Sequence, residues 1–124
     1  MNTLHRAKQL QDRTKKFSIR VIRAFARLPK DEATRIIGRQ FLRSGTSLAA
    51  NYRASCRARS AADFISKISV LTEETDETLF LVRALDRSRT GKAESSWSAD
   101  LGMRGIAENI FRVASYSEIQ SLNL

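Results

Sequence analysis

The feature that most constrains this chain is a seam of residues between positions 64 and 85. Phe64, Ile68, Leu71, Thr75, Thr78, Val82 and Leu85 follow one another at spacings of 4, 3, 4, 3, 4 and 3. Alternating steps of three and four put side chains on one stripe of an α-helix, whereas a strand requires steps of two. A helix with such a stripe is stabilised mainly by burying it against other helices. The seam therefore calls for helical partners.

The rest of the chain offers them. Ser60-Ala-Ala-Asp63 reads as a capping box that opens the seam helix, predicted over about 60–87. Upstream, Phe17, Val21, Ala24 and Leu28 recur at spacings of 4, 3 and 4, flanked by Ile22 and Phe25, and predict a first helix over 12–28. Residues 1–11 are polar and either extend that helix or fray. Pro29 stops it, because a residue preceding proline is pushed out of the α region. A second helix is predicted over 32–58 with Asp31 as its N-cap. Its inner face holds Ile37, Phe41, Ser44, Gly45, Leu48, Tyr52 and Ser55, and the small residues Gly38, Ser44, Gly45 and Ala49 permit close helix approach. Asn51, near that face, reads as a hydrogen-bonded polar core residue that fixes register. Residues 88–97, SRTGKAESSW, read as a loop. Met103, Ile106, Ile110 and Val113 predict a last helix over 98–117, with 118–124 left unassigned. Four helices, short links at Pro29 and Ser60 and no strand pattern predict one all-α domain over 1–124, an antiparallel up-down-up-down four-helix bundle.

Composition agrees with a folded chain. Of 124 residues, 42% are hydrophobic and 28% charged, with one Pro and five Gly, the profile of a globular protein with few connections. No apolar run approaches the roughly 20 residues a membrane span needs, and Met1 to Gln11 lacks the apolar core of a signal peptide. A single cysteine, Cys56, cannot form an internal disulfide, which suits a reducing compartment. The expected location is the cytoplasm.

The net charge of +9 is unevenly placed. Residues 1–59 hold 15 Lys and Arg against 3 Asp and Glu, and residues 60–124 hold 7 against 10. At about 100° per residue, Arg35, Arg39, Arg43, Arg53 and Arg57 fall within roughly an 80° arc of the second helix. Arg13, Lys16, Arg20, Arg23 and Arg27 form a second row on the first helix at spacings of 3, 4, 3 and 4. A basic row is usually just a solvated face. Nine arginines with almost no interleaved glutamate, however, repel one another unless a counter-charge is nearby, and arginine grips phosphate bidentately. These rows are therefore the candidate contact for RNA, DNA or an acidic partner surface. The third helix presents acids on its outer side, Glu73, Glu74, Asp76 and Glu77, together with Val70, Phe80 and Leu81. The candidate oligomer interface is Val70, Glu73, Glu77, Phe80 and Leu81, with burial inside the monomer as the equal alternative for its apolar members. A basic face on one side and an acidic-apolar face on another is what a head-to-tail ring contact requires.

Catalytic chemistry finds no support in these residues. A di-iron bundle needs Glu-x-x-His pairs on inward faces, and the one histidine, His5, lies near the N-terminus. Cys56 lacks a histidine-bearing segment to activate it and reads as a buried structural thiol. No Gly-rich phosphate loop or zinc spacing occurs. The expectation is a non-enzymatic protein with no metal and no cofactor.

One stretch carries a resemblance. Arg39-Gln40 with Arg43-Ser44, then Ser47-Leu48-Ala49-Ala50-Asn51, Arg57-Ala58-Arg59-Ser60 and Asp63-Phe64-Ile65 resemble the centre of the four-helix bundle proteins encoded in 23S ribosomal RNA intervening sequences. Residues 15–29, KKFSIRVIRAFARLP, look like that family's first helix, so the likeness spans about residues 12–87. It implies an antiparallel bundle that assembles into a homo-oligomer, a pentameric ring. The family also includes proteins similar to the accessory variability determinant of diversity-generating retroelements, which implies nucleic acid and a reverse transcriptase as partners. A purely structural oligomer, with the arginines serving subunit contacts only, is the alternative.

Overall fold

Local capping chemistry sets where each helix begins and ends. The structure is a computed structural model that describes the backbone of residues 3–122 and the side chains of residues 4–115. Its helices are α1 (Thr3–Ala26), α2 (Glu32–Cys56), α3 (Ala61–Thr90), α4 (Ser96–Ala99) and α5 (Met103–Leu122), with no strand among the described residues. Asp31 caps α2, its Oδ2 accepting from the Thr34 amide at 3.1 Å and the Thr34 hydroxyl at 2.9 Å. Ser60 caps α3, its hydroxyl accepting from the Asp63 amide at 3.0 Å. Asp63 reaches back past the cap to the Arg59 amide at 3.1 Å, so the capping box closes one residue earlier than its usual form.

The boundaries differ from the sequence expectation in three places. Helix α1 begins at Thr3 rather than near Asp12, because its seam starts earlier: Leu10 and Thr14 are buried in line with Phe17, Val21, Ala24 and Leu28. Thr14 conceals this in the sequence because it is polar. Its hydroxyl is satisfied locally by the Gln11 carbonyl at 3.0 Å. Helix α3 runs on to Thr90 and ends at Gly91, whose φ of +73° is the left-handed cap conformation that favours glycine. The expected last helix over 98–117 is instead the single turn α4 followed by α5, divided at Gly102 with φ +65°. The outermost residues of the loosely assigned termini, 1–2 and 123–124, lie outside the described residues.

Helix α1 packs on α2 and α5, α2 on α3, and α3 on α5 and α4. Gly38 of α2 lies against Phe25 of α1 and Leu28 just beyond its end, and Gly45 lies against Val21, so ascending α2 means descending α1. The chain is thus an all-helical bundle of four long helices with a short fifth between the last two. The small residues read in α2 give this close approach: a Cβ on Gly45 would sit 2.9 Å from both Val21 methyl carbons. The neighbouring flank of the same inner face meets α3 through a buried polar pair, the Ser44 and Thr78 hydroxyls at 2.9 Å. Asn51 is half-buried rather than in the core.

The core contains Phe17, Phe41, Leu48, Leu71, Leu85, Leu101 and Ile110, each at most 2% exposed. Burying side chains of this size stabilises by about 1.5–3 kcal/mol each. The seam read at 64–85 is this core's α3 contribution: all its members except half-buried Phe64 are buried. Trp97, expected at the end of a loop, is 4% exposed and closes one end of the bundle. Its indole Nε1–H donates to the Ala24 carbonyl at 2.8 Å, and its ring centroid lies 5.5 Å from that of Phe41.

Candidate nucleic-acid interface

Burying the α1 and α2 seams leaves both basic rows on the surface. Arg13, Lys16, Arg20, Arg23 and Arg27 of α1 are exposed, as are Arg35, Arg39, Arg43, Arg53 and Arg57 beside α2. The rows diverge rather than merge. The α1 row leans toward the connection into α5: Arg27 Nη1 lies 3.5 Å from Asp100 Oδ2. Arg20 and Arg13 lie beside Gly102 and Gly105, where an added Cβ would meet their guanidinium nitrogens at 3.3 Å. The α2 row faces away from the core, and its member Arg43 reaches the other way, to α3.

Arg43 is held by two carboxylates of its own chain. Its Nη1 donates to Glu74 Oε1 and Oε2 at 3.3 and 3.4 Å, and its Nη2 donates to Glu77 Oε2 at 2.8 Å. The hydrogen bond to Glu77, then those to Glu74, push the guanidinium further above its ordinary range. Sequence reading placed Arg43 with the ligand-binding row and Glu77 with the oligomer interface. The structure brings the two into contact with each other.

On the outer side of α3, Val70 and Phe80 are 46% and 68% exposed, and Glu73 is exposed between them. Val70, Glu73, Glu77 and Phe80 are spaced 3, 4 and 3, one helical stripe. Leu81 does not belong to it. At 3% exposure it is part of the bundle core, which corrects its expected outward placement. Cys56, read as buried, is exposed. The seam passes through Tyr52 and Ser55 and leaves Cys56 off to one side. Burial first, and then the neighbouring Cys56 side chain, push the Tyr52 phenol above its ordinary range. No group of three His, Cys, Asp or Glu able to hold a metal ion occurs among the described residues, and none of their helices is long and apolar enough to cross a membrane.

Comparison with known proteins concerns the fold. No family model matches the chain, and no curated protein matches it. Among solved structures, the chain is similar to a protein of unknown function from the S23 ribosomal protein family of Bacteroides thetaiotaomicron. The match has a TM-score of 0.75 at 24% identity, over 88% of this chain and 97% of that one.

One polar cluster escaped the sequence reading. Asp86, on α3, is fully buried, and its carboxylate accepts from the Ser95 amide at 3.0 Å and the Ser95 hydroxyl at 2.6 Å. Ser98 in turn accepts from the Ser95 amide at 3.1 Å, so the Ser-x-x-Ser pair opens α4. Arg89 lies over the Trp97 ring, 5.5 Å from its centroid. Its Nε and Nη1 are buried without a hydrogen-bond acceptor among the described residues, and its charge is met by the π face and, electrostatically, by the Asp31 carboxylate. Together these groups tie the α3–α5 connection to the bundle end and so fix the edge along which the α1 row lies. A lone tryptophan in a Ser-rich stretch was the available signal.

Proposed function

We propose that this protein is a non-enzymatic, cytoplasmic, self-assembling bundle of the 23S intervening-sequence type that binds nucleic acid through its basic rows. The observation that carries this reading is the exposure of arginines that the fold does not neutralise. The α2 row keeps Arg35, Arg39, Arg53 and Arg57 exposed, and no ion pair to them is found among the described residues. Such a surface attracts phosphate and releases its counterions. The likeness in fold to an S23-family protein supports the bundle alone, and the sequence resemblance adds nucleic acid and a reverse transcriptase as partners and a pentamer as the assembly.

Self-assembly rests on a separate observation. Val70 and Phe80 lie exposed on one stripe with Glu73, and an apolar pair rimmed by acids suits a basic surface of another copy. The second reading follows from this: a purely structural oligomer in which the arginines meet those acids.

One experiment separates the two. A variant with Arg35→Glu and Arg39→Glu is compared with wild type for RNA and DNA binding by gel shift, with mass followed by light scattering. Nucleic-acid binding requires wild type to bind and the variant to lose binding while keeping its mass. The structural reading requires wild type to ignore nucleic acid and the variant to fall to monomers.

A further inference from the structure

We propose that the α2 face takes double-stranded nucleic acid, gripping its phosphates with two arginine pairs, Arg35 with Arg39 and Arg53 with Arg57, while Arg43 is withheld. This rests on the nucleic-acid reading above and names the class of ligand for that surface. The pairs repeat after 18 residues, five turns of helix, so they point in one direction about 27 Å apart. Both fit within a single duplex turn of roughly 34 Å. A rigid duplex lying along α2 can meet both without bending.

What lies between the pairs favours a duplex over a single strand. Arg43, whose position falls in the gap, is turned aside and neutralised by Glu74 and Glu77. Thr46 and Ala50 occupy the same outward side with short side chains, leaving no projection. Single strands are held by stacking their bases on aromatic side chains. The aromatics of α2, Phe41 and Tyr52, are buried in the core. Phe80, the one aromatic among the large exposed hydrophobic residues described, stands among acids on α3. A flexible strand would have to be ordered over the whole gap with nothing to stack on, an entropic cost a preformed duplex does not bear.

The test is a salt series of binding to an RNA duplex, a DNA duplex and each constituent single strand, with folding checked by circular dichroism. Each duplex is expected to bind more tightly than its strands. Changing Arg35 and Arg39 to Ala removes two phosphate contacts and should flatten the slope of log K against log salt by about 1.8 on DNA. Changing Glu74 and Glu77 to Gln frees Arg43 and should steepen it by about 0.9. Adding Arg43→Ala to that double variant should return the slope to the wild-type value. Tighter binding of single strands would overturn the duplex assignment, and an unchanged slope when Glu74 and Glu77 become Gln would overturn the withholding of Arg43, in both cases leaving nucleic-acid binding intact. Binding of neither duplexes nor strands would overturn both and point to an acidic protein partner.

Discussion

Trp97 Nε1 and the Ala24 carbonyl lie 2.8 Å apart, joining the end of α1 to the connection before α5 across 73 positions of sequence. The bond gives a second partner to a carbonyl in the last turn of α1, which also accepts from the Arg27 amide at 3.1 Å as the helix ends. Trp97→Phe keeps most of the ring and loses the donor, and is expected to cost about 0.5–1.5 kcal/mol, the net worth of one hydrogen bond, because the Ala24 carbonyl keeps its bond from the Arg27 amide. Trp97→Ala should cost about 3–5 kcal/mol. Urea unfolding of both variants checks the ratio. Equal losses would mean that the hydrogen bond, not the ring, carries the contact.

Asp86 supplies the second tie at the same end. Asp86→Ala leaves the Ser95 amide and hydroxyl without their carboxylate, and the expected cost is about 1–3 kcal/mol. Hydrogen exchange should rise across residues 95–99 before it rises in α2 or α3. Uniform acceleration along the chain would argue against a local latch.

Gly45 is expected to resist even the smallest substitution. Alanine is worth about 1 kcal/mol over glycine inside a helix, but here its Cβ would lie 2.9 Å from both Val21 methyl carbons. Valine is stiff about χ1 and cannot turn aside, so overpacking at about 1–3 kcal/mol outweighs the propensity gain. Gly45→Ala should destabilise in thermal melts, and Val21→Ala in the same chain should cost less than it does alone.

Tyr52 sets an alkaline limit. Its folded-state pKa is raised by burial and by the adjacent Cys56 side chain above the ordinary value of 10.0. Its neutral form is therefore favoured by folding. That contribution is complete below about pH 10 and is lost as pH rises from there toward the folded value. Tyr52→Phe should match wild type near pH 7 and lose less stability above pH 10. Identical pH profiles would assign the alkaline limit to other groups.

Much of the fold was legible because heptad spacing encodes burial directly, as the α3 seam from Phe64 to Leu85 shows. The legible caps, Asp31 and Ser60, act within three residues of sequence. What was missed acts over distance or runs against residue type. Thr14 continues a hydrophobic seam with a polar side chain whose hydroxyl is satisfied locally. Trp97 and Asp86 are buried by partners that only the folded chain supplies. Leu81 could be placed on an outer side by angle alone, yet α3 is covered on more of its circumference than one seam describes. At the surface, both basic rows could be found from charge spacing. The withdrawal of Arg43 could not, because it depends on the register of α2 against Glu74 and Glu77.

The most direct test of the account is fluorescence anisotropy of a labelled duplex titrated with the wild-type protein, starting near 50 mM salt. Four phosphate contacts imply that log K falls linearly with log salt at a slope of at least about −3.6, roughly a hundredfold loss of affinity by 200 mM. That fall, with no change in the protein's mass, is the result the account predicts. No binding at the lowest salt, or binding indifferent to salt, would contradict it.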